Sequence, residues 1–90
     1  MDYKVAIPSY RRAAGVRDKT LAVLTKHNID PERVTVFVAD EQEYDNYKRE
    51  LSNTPYTNIV IGKLGLQAQR SFIQNYYPAG TKLISCDDDI

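Results

Sequence analysis

Three adjacent carboxylates, Asp87-Asp88-Asp89, give the strongest chemical signal in the sequence, and they directly follow the apolar run 83–86. Negative charges held side by side repel one another, and a bound cation or protonation relieves that repulsion. Side chains of an extended segment alternate between two faces, so Asp87 and Asp89 share one face. Carboxylate oxygens favour hard cations, so this pair predicts a site for Mg²⁺ or Mn²⁺ shared with a substrate phosphate. The competing interpretation is a solvated acidic turn.

A second polar segment follows the apolar run 5–7 and consists of Pro8-Ser9-Tyr10-Arg11-Arg12. Pro8 stiffens the exit of the predicted strand, and the Ser9 hydroxyl can meet a base or a ribose. The Tyr10 ring can stack, while the guanidinium of Arg11 or Arg12 can pair with phosphate. The glycine fingerprint of dinucleotide-binding folds is absent here, which disfavours a nicotinamide or flavin enzyme. The alternative is an ordinary surface loop with solvated arginines.

Two further charged residues lie at predicted element boundaries. Asp40 ends the apolar run 34–39, where an acidic residue can accept hydrogen bonds from a ribose or a base edge. The same oxygens would equally serve as the N-cap of the helix that follows, so the two roles compete. Arg70 lies one turn into a helix that follows the glycines of segment 62–65. From there it can reach a diphosphate or form an ion pair with the acidic triplet.

The elements that must position these residues alternate regularly along the chain. Four short β-branched runs (5–7, 34–39, 59–61 and 83–86) predict strands covered on both faces. Between them, three apolar stripes predict helices: Val16, Thr20, Val23 and Leu24; Tyr44, Tyr47 and Leu51; and Leu66, Gln69, Phe72, Ile73 and Tyr76. The order β-α-β-α-β-α-β predicts a three-layer α/β fold with a mostly parallel sheet. In such folds ligands bind beyond the carboxyl ends of the strands, where the polar segments fall.

Length and composition narrow the class of protein. Ninety residues make one domain, 1–90, and twelve basic residues balance twelve acidic ones. This balance argues against a uniformly basic nucleic-acid module. The single cysteine, Cys86, excludes an internal disulfide, and no apolar run approaches the ~20 residues of a membrane span. We therefore expect a cytoplasmic protein with no membrane partner.

Taken together, the motifs I-P-S-Y, V-A-D-E, G-x-L-G-L-x-x-Q-R and S-C-D-D-D-I resemble the nucleotide-sugar half of GT-A glycosyltransferases. The resemblance runs over nearly the whole chain, and its most specific parts are the opening P-S-Y-R and the closing D-x-D. Within that superfamily the combination is most similar to the phage and viral enzymes that glycosylate hypermodified DNA pyrimidines. An example of these enzymes is the β-glucosyl-hydroxymethylcytosine α-glucosyltransferase.

This resemblance implies a role for each matching position. Pro8, Ser9 and Tyr10 would line the nucleoside pocket, with Arg11 at its edge. Asp40 would hold the uracil or ribose, and Arg70 would approach the diphosphate. Asp87 would contact the ribose, and Asp89 would bind the Mn²⁺ or Mg²⁺ ion that bridges the phosphates. A Rossmann-like strand order 3-2-1-4 would bring these strand ends around one crevice. The implied activity is metal-dependent transfer of glucose from a UDP-sugar to a modified pyrimidine in phage DNA, in the host cytoplasm.

The family pattern continues beyond the D-x-D, whereas this chain stops at Ile90. We therefore expect a donor-binding portion that is inactive by itself, and an open sheet edge that favours self-association or pairing with a missing half. The alternative is a non-catalytic α/β module that binds a partner or a nucleotide, with the acidic triplet as surface decoration. A receiver-like version is disfavoured, because Pro8-Ser9 and Gly62 stand where a receiver carries acidic residues.

Overall fold

The computed structural model describes residues 3–86, which form a small α/β domain around a four-stranded sheet. All strands are parallel and their order is β3-β2-β1-β4, a Rossmann-like arrangement that confirms the predicted strand order 3-2-1-4. The strands are β1 (Lys4–Pro8), β2 (Val34–Val38), β3 (Ile59–Ile61) and β4 (Leu83–Ser85). β1 lies between β2 and β4, so the strand order reverses at the β1/β4 boundary.

The helical elements lie in the three connections, as the sequence predicts. The first connection is one helical segment in three parts: α1 (Ala13–Gly15), a π-helical stretch (Val16–Thr20) and α2 (Leu21–Lys26). The second and third contain α3 (Glu41–Glu50) and α4 (Leu66–Tyr76). A short 3₁₀ turn, Pro31–Arg33, precedes β2, and the Asp30 carboxylate caps it by accepting from the Glu32 amide at 3.0 Å.

The larger core cluster lies on the face of the sheet that the first helical segment and α3 cover. Val5 and Ile7 of β1 lie beside Val34, Val36 and Val38 of β2, all buried. Paired residues of parallel strands point to the same face, and the register Val5↔Val34 and Ile7↔Val36 makes this face continuous. The helices contribute their buried stripe residues: Val16, Leu21, Tyr47 and Leu51. Burial of this apolar surface is the main stabilising contribution on this side.

The opposite face is smaller and is covered by α4. Ala6 and Phe37 pack there against Ile73. Phe37 also meets the ring of Tyr76 edge-on at 5.3 Å between ring centroids. Such edge-to-face pairs are the preferred arrangement of aromatic rings. Helices on both faces give the central strands β1 and β2 the two-sided burial that the non-alternating runs predict, whereas the residues of the edge strands β3 and β4 are half-buried or exposed, so the prediction is wrong there.

Three stripe positions are exceptions. Leu66 is 61% exposed and Val23 38%, so these two lie outside the buried face of their helices, while Tyr76, 48% exposed, packs at the rim against Phe37. Leu66 is the first residue of α4 and Tyr76 the last. Within residues 3–86, no helix combines the length and apolar character that a bilayer span requires.

Candidate functional site

The loop after β1, residues 9–12, is fixed to α3 by a buried tyrosine hydroxyl. We call this segment loop 9–12. The Ser9 amide still follows the sheet and donates to the Phe37 carbonyl at 3.0 Å. The Ser9 Oγ then lies 2.6 Å from the Tyr47 hydroxyl, and the Arg12 amide donates to the same hydroxyl at 3.0 Å. Tyr47 therefore bridges the first and last residues of the loop.

Between those two residues, Arg11 has a left-handed backbone with φ 55°. This conformation is costly for a residue with a Cβ, by about 1–2 kcal/mol. Its amide donates to the Glu43 Oε1 at 2.5 Å, and Glu43 is only 7% exposed. A hydrogen bond to a carboxylate is stronger than one between neutral groups, so Glu43 offsets part of the backbone strain.

Asp40 is the N-cap of α3. Its backbone is extended, with φ −157° and ψ −179°, and its Oδ1 accepts from the Glu43 amide at 2.9 Å. This confirms the capping role that the sequence left open. Asp40 itself is exposed, so the carboxylate is also accessible to solvent. The cap fixes the first turn of α3, and that turn carries the Glu43 side chain that binds the loop.

Loop 9–12 and α3 enclose an open cleft of about 410 Å³ at the carboxyl edge of the sheet. Its lining consists of Tyr10, Arg11, Asp40, Gln42, Glu43, Asn46 and Glu50. The Tyr10 ring is 43% exposed, and the Arg11 guanidinium carbon lies 5.1 Å from its centroid. The cleft therefore offers a flat aromatic and cationic surface beside carboxylates and amides.

One of the carboxylates that line the cleft is paired with an arginine. Glu50 Oε2 accepts from Arg17 Nη1 at 2.7 Å, which joins α3 to the first helical segment. The hydrogen bond that Arg17 donates to Asp18 raises the pKa of Arg17 and lowers the pKa of the Asp18 carboxyl. Asp40 and Glu43 add two further carboxylates to the lining, against the guanidinium of Arg11. This balance suits hydroxyl groups and a heterocycle better than a bare phosphate.

On the other side of the sheet, the carboxyl ends of β2 and β3 are joined by Gln69 of α4. Gln69 is 4% exposed; its Nε2 donates to the Val38 carbonyl at 3.1 Å and its Oε1 accepts from the Lys63 amide at 2.8 Å. A Cβ at Gly62 would lie 2.0 Å from that Oε1, so only glycine fits there. The sequence indicated close approach at this glycine, and the approaching group is a side chain of the protein itself.

The structure brings together three of the predicted site residues. Tyr10, Arg11 and Asp40 line the same cleft, as their positions after neighbouring strands predict. Pro8 is half-buried at the end of β1, and the Ser9 hydroxyl is turned toward Tyr47. Both therefore support the cleft from behind.

The remaining predicted residues lie elsewhere. Arg70 is exposed on α4 and is not among the residues that line the cleft. Asp87 and Asp89 lie outside the described residues. The last described residue, Cys86, donates its amide to the Ala6 carbonyl at 3.0 Å, which places it beside β1. Within residues 3–86, no group of three or more His, Cys, Asp or Glu side chains is arranged to hold a metal ion.

Glu43 and Tyr47 are the residues that sequence reasoning missed. Tyr47 was assigned to core packing, and its ring is indeed fully buried. Its hydroxyl, however, needs a buried partner, and no periodicity reveals which loop supplies it. Glu43 resembles any charged residue in a first helical turn. The available signal was its place one turn before Tyr47 on the same helix face.

A second open cleft, of about 510 Å³, lies at the amino ends of the strands, remote from loop 9–12. Lys4, Thr35, Asn58 and Tyr77 are among its lining residues. The buried hydroxyl of Tyr77 lies next to Thr35 and forms no well-aligned hydrogen bond within residues 3–86. Burial raises the pKa of Tyr77, and the Thr35 side chain opposes that effect.

Comparison of the chain with protein-family models, with curated proteins and with solved structures finds no match.

Proposed function

We propose that this chain is the donor-binding portion of a metal-dependent glycosyltransferase with a GT-A-type fold, and that UDP-glucose is its donor. The observation that carries the proposal is the shared cleft at the carboxyl edge of the sheet. Tyr10 and Arg11, which follow β1, and Asp40, which follows β2, line it together. In open parallel α/β sheets this edge is where nucleotides bind.

The chemistry of the cleft fits the nucleoside part of the donor. The exposed Tyr10 ring, with Arg11 beside it, offers a stacking surface for uracil. Asp40 is exposed at the cleft, and a carboxylate accepts hydrogen bonds from ribose hydroxyls. The amides of Gln42 and Asn46 lie one turn apart in the lining and can both donate and accept at a base edge.

We assign the diphosphate and its metal ion to residues other than those that line the cleft. Asp87 and Asp89 follow Cys86, which lies beside β1. Two carboxylates are a donor set that suits Mn²⁺ or Mg²⁺, and such an ion neutralises charge on a departing nucleoside diphosphate. Arg70 is the guanidinium that we assign to the diphosphate. The acceptor would be a hydroxymethylated or glucosylated pyrimidine in phage DNA.

Calorimetric titration with UDP and UDP-glucose, with Mn²⁺ or with EDTA, tests this proposal. We expect Mn²⁺ to strengthen binding at least tenfold and Asp89→Asn to abolish that gain. Tyr10→Ala should weaken binding about tenfold or more, since stacking a base on an aromatic ring contributes about 1–3 kcal/mol. Asp45→Asn is the matched control, because Asp45 is exposed on α3 outside the cleft lining. Equal binding in EDTA, or an Asp89→Asn variant that binds like the wild type, would contradict the proposal.

One observation favours the second candidate function, a non-catalytic interaction domain. Ile61 of β3 is 41% exposed and Ile84 of β4 is 48% exposed, and these strands are the two edges of the described sheet. Apolar edge strands favour pairing with another chain. If light scattering shows a dimer at low micromolar concentration while UDP and Mn²⁺ leave the melting temperature unchanged, this candidate replaces the first.

A further inference from the structure

We propose that Tyr47 and Glu43 are positioning residues that hold loop 9–12 in its binding conformation and so set the affinity of the cleft for a nucleotide. The inference rests on the proposed function, because it names what orients the stacking and charged groups of that cleft. Tyr47 is fully buried and cannot touch a ligand, so its effect on binding must pass through the loop.

The loop depends on α3 because the sheet and the first helix hold only its ends. The Ser9 amide donates to β2, and the Arg12 carbonyl accepts from the Val16 amide at 2.8 Å. Between these points the amides of Arg11 and Arg12 donate to side chains of α3. These two hydrogen bonds are partly shielded from solvent, so the conformation of the loop depends on the helix.

The Tyr47 hydroxyl is placed to act on both ends of the loop. The Arg12 amide donates to its oxygen, and the Ser9 hydroxyl lies 2.6 Å from that oxygen in a hydrogen bond in which either hydroxyl can be the donor. Removing this one hydroxyl takes away both of its contacts with the loop while the ring still fills the core. Tyr47→Phe therefore separates the loop contact from packing.

Glu43 binds the amide of Arg11, the loop residue with the least favourable backbone conformation. The left-handed Arg11 is a conformation that residues other than glycine rarely adopt without local support. The Glu43 carboxylate supplies that support through the Arg11 amide. Asp40 contributes indirectly, because it caps the amide of Glu43 and fixes the turn from which that side chain extends.

Amide hydrogen exchange followed by NMR, on the ligand-free protein, tests the positioning step. In Tyr47→Phe we expect exchange at the Arg12 amide to accelerate at least tenfold. The Val36 amide, which donates to Asn58 within the sheet, should keep its wild-type rate. Tyr44→Phe is the matched control, because it removes a hydroxyl from the same helix outside the loop contacts. If Tyr47→Phe does not fold, Ser9→Ala removes the Ser9–Tyr47 hydrogen bond from the loop side, and exchange at the Arg12 amide, which keeps the Tyr47 hydroxyl as its acceptor, should still accelerate but by a smaller factor.

Titration with UDP-glucose and Mn²⁺ tests the consequence for binding. Tyr47→Phe should bind at least tenfold more weakly, and Tyr44→Phe should bind like the wild type. Glu43→Gln keeps an acceptor for the Arg11 amide and should retain most of the affinity, whereas Glu43→Met should lose it.

The outcomes distinguish the two proposals. Unchanged exchange at Arg12 in Tyr47→Phe overturns the inference, and so does faster exchange with unchanged affinity. If the wild type does not bind UDP-glucose at all, the proposed function fails, and faster exchange at Arg12 would still support the role of Tyr47 in holding the loop.

Discussion

The two longer helices each place a buried polar side chain against the carboxyl edge of the sheet, with opposite results. On the α3 side, Glu43 and Tyr47 bind backbone amides of a loop whose own side chains remain exposed. On the α4 side, Gln69 fills the space beside Gly62 and forms hydrogen bonds with the Val38 carbonyl and the Lys63 amide. Because α3 binds the backbone of loop 9–12, the side chains of that loop remain available to a ligand. The contact between Gln69 and Gly62, in contrast, is a structural contact within the protein.

The two sides also differ in backbone strain. Arg11 takes a left-handed conformation despite its Cβ, whereas the tight approach on the α4 side is met by a glycine. Strained residues other than glycine concentrate at functional sites. This contrast favours the α3 side as the nucleotide site that we propose, and the predictions below test the difference between the two sides.

The largest effect is expected for Gly62→Ala. The new Cβ would lie 2.0 Å from the Gln69 Oε1 and 3.0 Å from the Phe72 ring, so Gln69 must leave its site. Overpacking together with lost buried hydrogen bonds should lower the free energy of unfolding by about 3 kcal/mol, measured by urea denaturation. Gly15→Ala is the control, since its nearest neighbour would be Arg12 Cβ at 3.9 Å. A Gly62→Ala variant as stable as the wild type would contradict the structural role of the Gly62–Gln69 contact.

Gln69→Leu should cost somewhat less, about 2 kcal/mol, because the Lys63 amide loses its acceptor and the buried hydrogen bond to the Val38 carbonyl is lost. The Val38 carbonyl keeps a bond from the Gly62 amide at 2.8 Å, which limits the loss. Urea denaturation measures the change, and UDP affinity should stay within about twofold of the wild type. A large loss of affinity would show that nucleotide binding in the cleft depends on the contact between Gln69 and Gly62.

Asp40→Ala should lower stability by about 1 kcal/mol, the usual cost of removing an N-cap. Asp40→Asn keeps a capping oxygen and should restore most of that stability. If Asp40 also binds the ribose, Asp40→Asn will still weaken UDP binding, since it removes the charge. Thermal unfolding and calorimetry on this pair separate the two roles, and equal behaviour of both variants in both assays would contradict the separation.

Arg11→Gly should be more stable than Arg11→Ala by about 1 kcal/mol, since glycine adopts a positive φ without steric cost. Both variants remove the guanidinium, so both should bind UDP more weakly than the wild type. Chemical denaturation of the pair checks the stability difference. An alanine variant at least as stable as the glycine variant would show that the backbone at residue 11 is not strained.

The smallest effect is expected for Tyr77→Phe, within about 0.5 kcal/mol of the wild type at neutral pH. Burial raises the Tyr77 pKa above the ordinary 10.0, so the unfolded chain releases this proton first. Stability from this group is complete below pH 10 and falls as pH rises through the raised pKa. Tyr77→Phe should therefore flatten the alkaline limb of a stability–pH profile, and an unchanged limb would assign the loss to other groups.

Much of the fold was predictable from particular residues. The β-branched runs that contain Val36 and Ile84 predicted strands, and the stripe with Tyr47 and Leu51 predicted the buried side of α3. The stripe from Leu66 to Tyr76 matched both ends of α4, but the periodic pattern did not show that these two terminal residues are exposed. The proximity of Tyr10 and Asp40 followed from the parallel order, since neighbouring parallel strands end at the same edge.

The sequence by itself determined the local elements, their parallel order and the edge at which polar side chains collect, because hydrophobic periodicity and crossover handedness are properties of short segments. Only the tertiary structure decided that Glu43 and Tyr47 hold loop 9–12, that Asp40 is a cap and that Arg70 lies away from the cleft. The reason is physical: a buried hydrogen-bonding group must find a partner, and which partner it finds depends on how distant segments pack.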